Sequence, residues 1–164
     1  MDKMEKRLEQ RMYGLVPYNL SPIQQGIQFG HAVVEYSLNH YSYTKQKGSN
    51  PYSQWAHYDK TFIILNGGTT NKNIDSYGTL NNTLIELQTM GVELATFHEP
   101  DLGDQLTAVV FLVDERVWDR EKYPPYDEAF SHGPSEKNYY KELFGEEAEK
   151  IVEMRRFLSR FKLA

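Results

Sequence analysis

Cysteine is absent from this 164-residue chain. No disulfide and no thiolate metal site can therefore support the fold, and the absence accords with a reducing compartment. Long apolar runs are also missing, and the amino-terminal MDKMEKRLEQ is charged, with no hydrophobic stretch behind it. Neither a secretory signal nor a membrane span is visible, so the expectation is a soluble, cytoplasmic protein with no membrane partner. Positive charge is in short supply: 18 Lys and Arg stand against 23 Asp and Glu, a formal net charge of −5. That argues against a protein that coats nucleic acid, because such binding draws its affinity from neutralised phosphates. Histidine is sparse and scattered, at positions 31, 40, 57, 98 and 132, with no ligand spacing. The expectation is no metal site. Neither a GxxxxGK phosphate cradle nor a GxSxG nucleophile elbow occurs, and no cofactor is expected.

What is present is enough for one core. A chain of this length with 40% hydrophobic residues fits one globular domain better than two. "RMYGLVPY" has the β-branched and aromatic character of a strand, interrupted by Gly14. Ser21-Pro22-x-Gln24 then opens a helix, with Ser21 as N-cap, Pro22 at the first helical position and Gln24 placed to reach back as a capping box. "KTFIILNGG" reads as a buried strand closed by Gly67 and Gly68, after a loop over residues 41–56 with a short helical turn near Trp55. Leu80, Leu84 and Leu87 set a helix over 77–90 that stops at Gly91. "VELATFHEP" and "LTAVVFLVDE", joined by a short turn, form an antiparallel pair. The order βα, βα, ββ predicts a three-layer α/β/α domain with a small mixed β-sheet over residues 1–115. Residues 116–164 form an extension whose amphipathic terminal helix should pack on the same domain.

Within the helix "LSPIQQGIQFGHAVVEY", Gln24, Gln28, His31 and Glu35 fall on one arc of about 60° at about 100° per residue. They read as a polar slot in a mostly buried helix, or as a solvated edge in which His31 and Glu35 form an ordinary helical pair. Gly26 and Gly30 favour the slot, because glycine inside a helix costs about 1 kcal/mol against alanine and suggests a close approach to the backbone. A second constellation, "FHEPDLGDQLTAVV", sets a carboxylate on a Pro- and Gly-shaped turn just past a strand end. Such places carry chemistry in α/β domains, and equally serve as plain turns held by local hydrogen bonds. Between residues 36 and 73 four lysines, Lys45, Lys47, Lys60 and Lys72, and several tyrosines face one acid. That island reads as a nucleic-acid contact or as an ordinary solvated loop.

Together, "LSPIQQGIQFGHAVVEY" after a first strand, "KTFIILN" as the second and "EPDLGDQLTAVVF" across the last two resemble the type 2 peptidyl-tRNA hydrolase family, in a divergent branch of bacterial and phage type. Ser21, Pro22, Gln28, Gly30, His31 and Ala32 match the family's first helix. Asp101, Gly103 and Gln105 match its later loop, and Gln24 stands where the family carries lysine. The resemblance covers about residues 11–115. It implies metal-free hydrolysis of the ester between a peptide and tRNA, with peptidyl-tRNA as the partner. Asp101 would orient or activate water, directly or through His31, and Gln28, Gln105 and Thr107 would donate to the carbonyl. The acceptor stem would lie against Gln24, the lysine island and the basic face of the terminal helix, Arg155, Arg156 and Arg160. A non-catalytic RNA- or protein-binding module on the same fold is the alternative, and homodimerisation is left open.

Overall fold

A computed structural model describes residues 7–41, 47–48, 50–72, 77–124, 142 and 144–164. The chain is a mixed α/β protein built on one four-stranded mixed sheet. Its elements are β1 (Gln10–Pro17), α1 (Pro22–His40), α2 (Pro51–Gln54) running into a π-turn (Trp55–Asp59), and β2 (Thr61–Gly68). There follow α3 (Thr79–Thr89), β3 (Ala95–Glu99), β4 (Gln105–Asp114), α4 (Glu115–Trp118) and α5 (Ala148–Leu158). Two compact units result: Glu9–Val113 with Phe161–Ala164, and Asp114–Arg160 with the amino-terminal residues up to Leu8.

In the first unit the strand order is β2-β1-β4-β3, with β1 and β2 parallel and β3 and β4 antiparallel. β1 lies inside the sheet, which is why it reads as an almost unbroken buried run. Gly14 does not interrupt it. A Cβ there would stand 2.1 Å from the ring of Phe29, so the glycine makes room for an α1 side chain to press on the strand. Met12, Val16, Ala108 and Val110 share this face with Phe29, Ala32 and Tyr36 of α1. The alternate residues serve the other face: Tyr13 stacks on Phe111, and a Cβ on Gly67 would touch both Leu15 and Leu80 of α3. Helices therefore cover both faces.

β2 is an edge strand rather than a fully buried one, with Phe62 half exposed. Its outer side is met by the segment 162–164: Asn66 N–H donates to the Lys162 carbonyl and Ala164 N–H to that of Ile64. Backbone pairing of this kind removes unsatisfied groups from an open sheet edge.

α1 begins as its sequence predicts at Ser21, whose hydroxyl accepts from Gln24 N–H at 3.3 Å, with Pro22 in the first turn. The reciprocal bond from the Gln24 side chain is not among those formed by the described residues. Gln25 reaches back instead, donating to the Leu20 carbonyl at 2.8 Å. The helix is also less buried than expected. Gln28, Phe29, Ala32 and Tyr36 are buried, whereas Ile23, Ile27, Val34 and Leu38 are exposed.

In the second unit, α5 buries Ala148, Ile151, Met154 and Phe157. Its Arg155 donates to the carbonyls of Arg116, Val117 and Tyr123 and lies over the ring of Phe144. Arg116 pairs with Asp114 at 2.8 Å and Glu147 at 3.1 Å, and donates to the Phe144 carbonyl. The terminal helix is thus braced by α4 and the segment just before itself. Among the described residues, no helix is long and apolar enough to cross a membrane.

Candidate active site at the strand ends

The open end of the sheet is assembled by three loops. Asn19, between β1 and α1, clasps the backbone of Thr70 just past β2, donating to its carbonyl at 2.9 Å and accepting its N–H at 3.1 Å. The buried Thr70 hydroxyl donates at 2.6 Å to the Leu106 carbonyl at the start of β4. The third loop, from Pro100 to Asp104, closes the β3–β4 hairpin through Gly103 at φ 69° and Asp104 at φ 60°. Glycine takes the left-handed conformation freely and Asp tolerates it. Asp104 N–H donates to the Glu99 carbonyl at 2.9 Å, and Gln105 Nε2 to that of Leu102 at 2.7 Å. Gln105, a predicted donor to substrate, is therefore engaged in holding this turn.

Over this end runs the polar arc of α1. Gln28, nearly buried, donates from Nε2 to the Glu99 carboxylate at 2.9 Å and accepts at Oε1 from the Thr107 hydroxyl at 2.6 Å. Thr107 is wholly buried and also lies 3.2 Å from the Phe97 carbonyl, so it positions Gln28 and has no surface to offer a ligand. Its presence there depends on a β-bulge. Phe97 pairs with Ala108 and His98 with Leu106, leaving Thr107 as the extra residue. The bulge turns Thr107 onto the α1 face beside Ala108, where strict alternation would send it to the opposite one.

Glu99 is the centre of the cluster. Its carboxylate accepts from Gln28 and, at 3.3 Å, from the Asp101 backbone N–H. These two bonds hold its pKa below the ordinary value, with burial opposing them and the nearby His31 adding a lesser lowering. His31 is exposed and stacks on Phe97, ring centroids 4.5 Å apart and nearly parallel. Asp101 is exposed on the turn. Glu99 thus draws together the Gln28 side chain, the Asp101 backbone N–H and the nearby His31, with Thr107 behind Gln28, although no hydrogen bond among the described residues joins His31 to Asp101 directly. Glu99 itself was not foreseen, and its available signal was a carboxylate on the last strand residue before Pro100.

The basic residues do not form one patch. Lys60 and Lys72 lie before and after the eight-residue β2, a strand about 26 Å long at about 3.3 Å per residue. Lys47 lies over the ring of Tyr58, close to the Lys60 end. Among the described lysines of the island, Lys72 belongs to the site end, its methylenes running past Gly103. Lys45 lies outside the described residues. Gln24 is exposed in the first turns of α1. Arg155 is committed to backbone carbonyls and braces its own unit, which removes it from the expected RNA-binding set. Arg156 is exposed, as is Arg160, which lies over Phe157.

Among the described residues, no three His, Asp or Glu side chains converge as metal ligands. The arrangement is that of an α/β domain with a solvent-reachable acid, amide and imidazole cluster at its strand ends. No protein-family model and no curated protein matches the chain.

Proposed function

We propose that the chain is a peptidyl-tRNA hydrolase of the type 2 kind, cleaving the ester between a peptide or N-acyl amino acid and the terminal ribose of tRNA. The observation that carries this reading is the cluster at Glu99, which accepts from the Gln28 side chain and the Asp101 backbone N–H and feels the nearby His31, with Thr107 bonded to Gln28 behind it, because the family resemblance named four of these five residues from separate stretches of sequence.

The cluster suits ester hydrolysis. A carboxylate only accepts hydrogen bonds, so Glu99 fixes the Gln28 amide with its nitrogen toward the acid and its oxygen toward Thr107. One of the two Nε2 protons is then left to face a substrate carbonyl, where it stabilises the oxyanion as water adds. Asp101 takes or orients the proton of the attacking water, and His31 relays a proton to the departing ribose oxygen, a role suited to an imidazole because its two ring nitrogens can accept and donate. In this reading Lys72, whose methylenes run past Gly103, pairs with a phosphate of the acceptor stem.

The neutral Gln24 in the place of the family's lysine favours a second reading, a module that binds tRNA or another partner without turning it over. One pair of assays separates the two. Under the hydrolase reading, purified protein releases tRNA from N-acetyl-aminoacyl-tRNA with no metal added. Binding of free tRNA without any such release means the module reading, and neither activity removes tRNA from the account.

A further inference from the structure

The sequence pairs Gly26 and Gly30 in a helix, as though something approaches its backbone, yet a Cβ on either would meet nothing within 4 Å. Among the described residues, none supplies the approaching group. Beside Gly30, Ile23, Ile27, Val34 and Leu38 stand 75%, 50%, 58% and 72% exposed. At about 100° per residue these four fall within an arc of about 60°. That arc lies opposite the buried Phe29, Ala32 and Tyr36, and is distinct from the polar arc that faces Glu99. Exposed apolar residues scattered singly are normal on a protein surface, whereas a continuous stripe marks an interaction surface.

We infer that this stripe is the contact between two copies of the chain, packed through α1 in antiparallel fashion about a twofold axis. The spacing carries the choice of occupant. Ile23, Ile27, Val34 and Leu38 are separated by four, seven and four residues, a pattern that reads the same in both directions about a midpoint between Gly30 and His31. A twofold contact requires this self-complementarity, since the same patch must meet itself. Ile23 then packs against Leu38 of the other copy and Ile27 against its Val34. Gly30 sits at the axis, where a missing side chain lets two backbones approach most closely. Nucleic acid does not fit this face, because no cation lies on the stripe and phosphate contacts need one.

The nineteen-residue helix is about 28 Å long, and a contact along it buries on the order of 1,000 Å² in total, near the lower limit for a specific interface. The expected dimer is therefore weak and depends on protein concentration. The inference is argued from the stripe and not from the ester chemistry, although the axis it implies passes between Gly30 and His31.

Sedimentation velocity of the full chain over a wide range of micromolar concentrations tests the inference. The expected result is a reversible monomer–dimer equilibrium, weakened about tenfold or more by Val34→Glu and by Gly30→Leu, with both variants folded by circular dichroism. A wild-type chain that stays monomeric throughout overturns the inference and leaves the face to a different partner. So does a dimer that survives both substitutions. The arrangement is read by cysteine cross-linking, which is clean in a chain that has no cysteine of its own. Gly30→Cys should cross-link to itself, and a mixture of Ile23→Cys and Leu38→Cys chains should give the mixed disulfide. A dimer in which Ile23→Cys pairs chiefly with itself is not antiparallel and contradicts the inference.

Discussion

The amide of Gln28 can face its neighbours in only one way, because Glu99 has no proton to give once ionised and Thr107 has one. That orientation ties the helix to the bulged strand and leaves the carboxylate stabilised as an anion. Since the pKa of Glu99 is lowered in the folded chain, its contribution to stability is present above its unfolded pKa and is lost as pH falls through the folded one. Glu99→Gln should therefore lower the melting temperature at neutral pH, and the gap from wild type should narrow as pH falls below about 4. A gap independent of pH across that range would show that the charge on Glu99 does not matter to folding. Gln28 and His31 were legible in the sequence because helical spacing puts them on one arc. Thr107 entered only through the family resemblance, and its structural role was hidden because it rests on a one-residue bulge that alternation does not encode.

At the scale of elements, three glycines with similar sequence context do opposite things. Gly14, in β1, is filled by the Phe29 ring, whereas Gly26 and Gly30, in α1, face open space. Gly14→Ala should destabilise the fold by about 1–3 kcal/mol or more through overpacking. Gly26→Ala should stabilise it by about 1 kcal/mol, the helix-propensity difference between the two residues. Thermal or urea denaturation of the two variants measures both, and a Gly14→Ala protein as stable as wild type would mean that Phe29 does not pack on the strand as described. The strands and main helices were legible from period and from their stops, including Ser21, Gly91 and the Pro100 turn. The exposed side of α1 was not. Its apolar residues lie on both sides of the polar arc, and hydrophobicity alone assigns all of them to a core that the described residues build only around Phe29, Ala32 and Tyr36.

For the whole molecule, the sequence suggested a division near residue 115, and the compact units part at Asp114, with Phe161–Ala164 returning to the sheet unit as the neighbour of β2. That return was not legible, since four residues at the end of an amphipathic helix carry no strand signal of their own. Of the lysine island's described residues, Lys60 and Lys72 are separated along the chain by β2, and Lys72 lies at the site end.

The central claim is that the cluster around Glu99 performs ester hydrolysis with Asp101 at the water. The most direct measurement is turnover of N-acetyl-aminoacyl-tRNA by the wild-type chain and by Asp101→Asn, a substitution that keeps the side-chain shape and the backbone N–H bonded to Glu99. The account predicts that kcat falls about 10²-fold or more in the variant, the scale for losing a positioned base, with the melting temperature unchanged. Equal turnover by the two proteins, or none by the wild type, would contradict it.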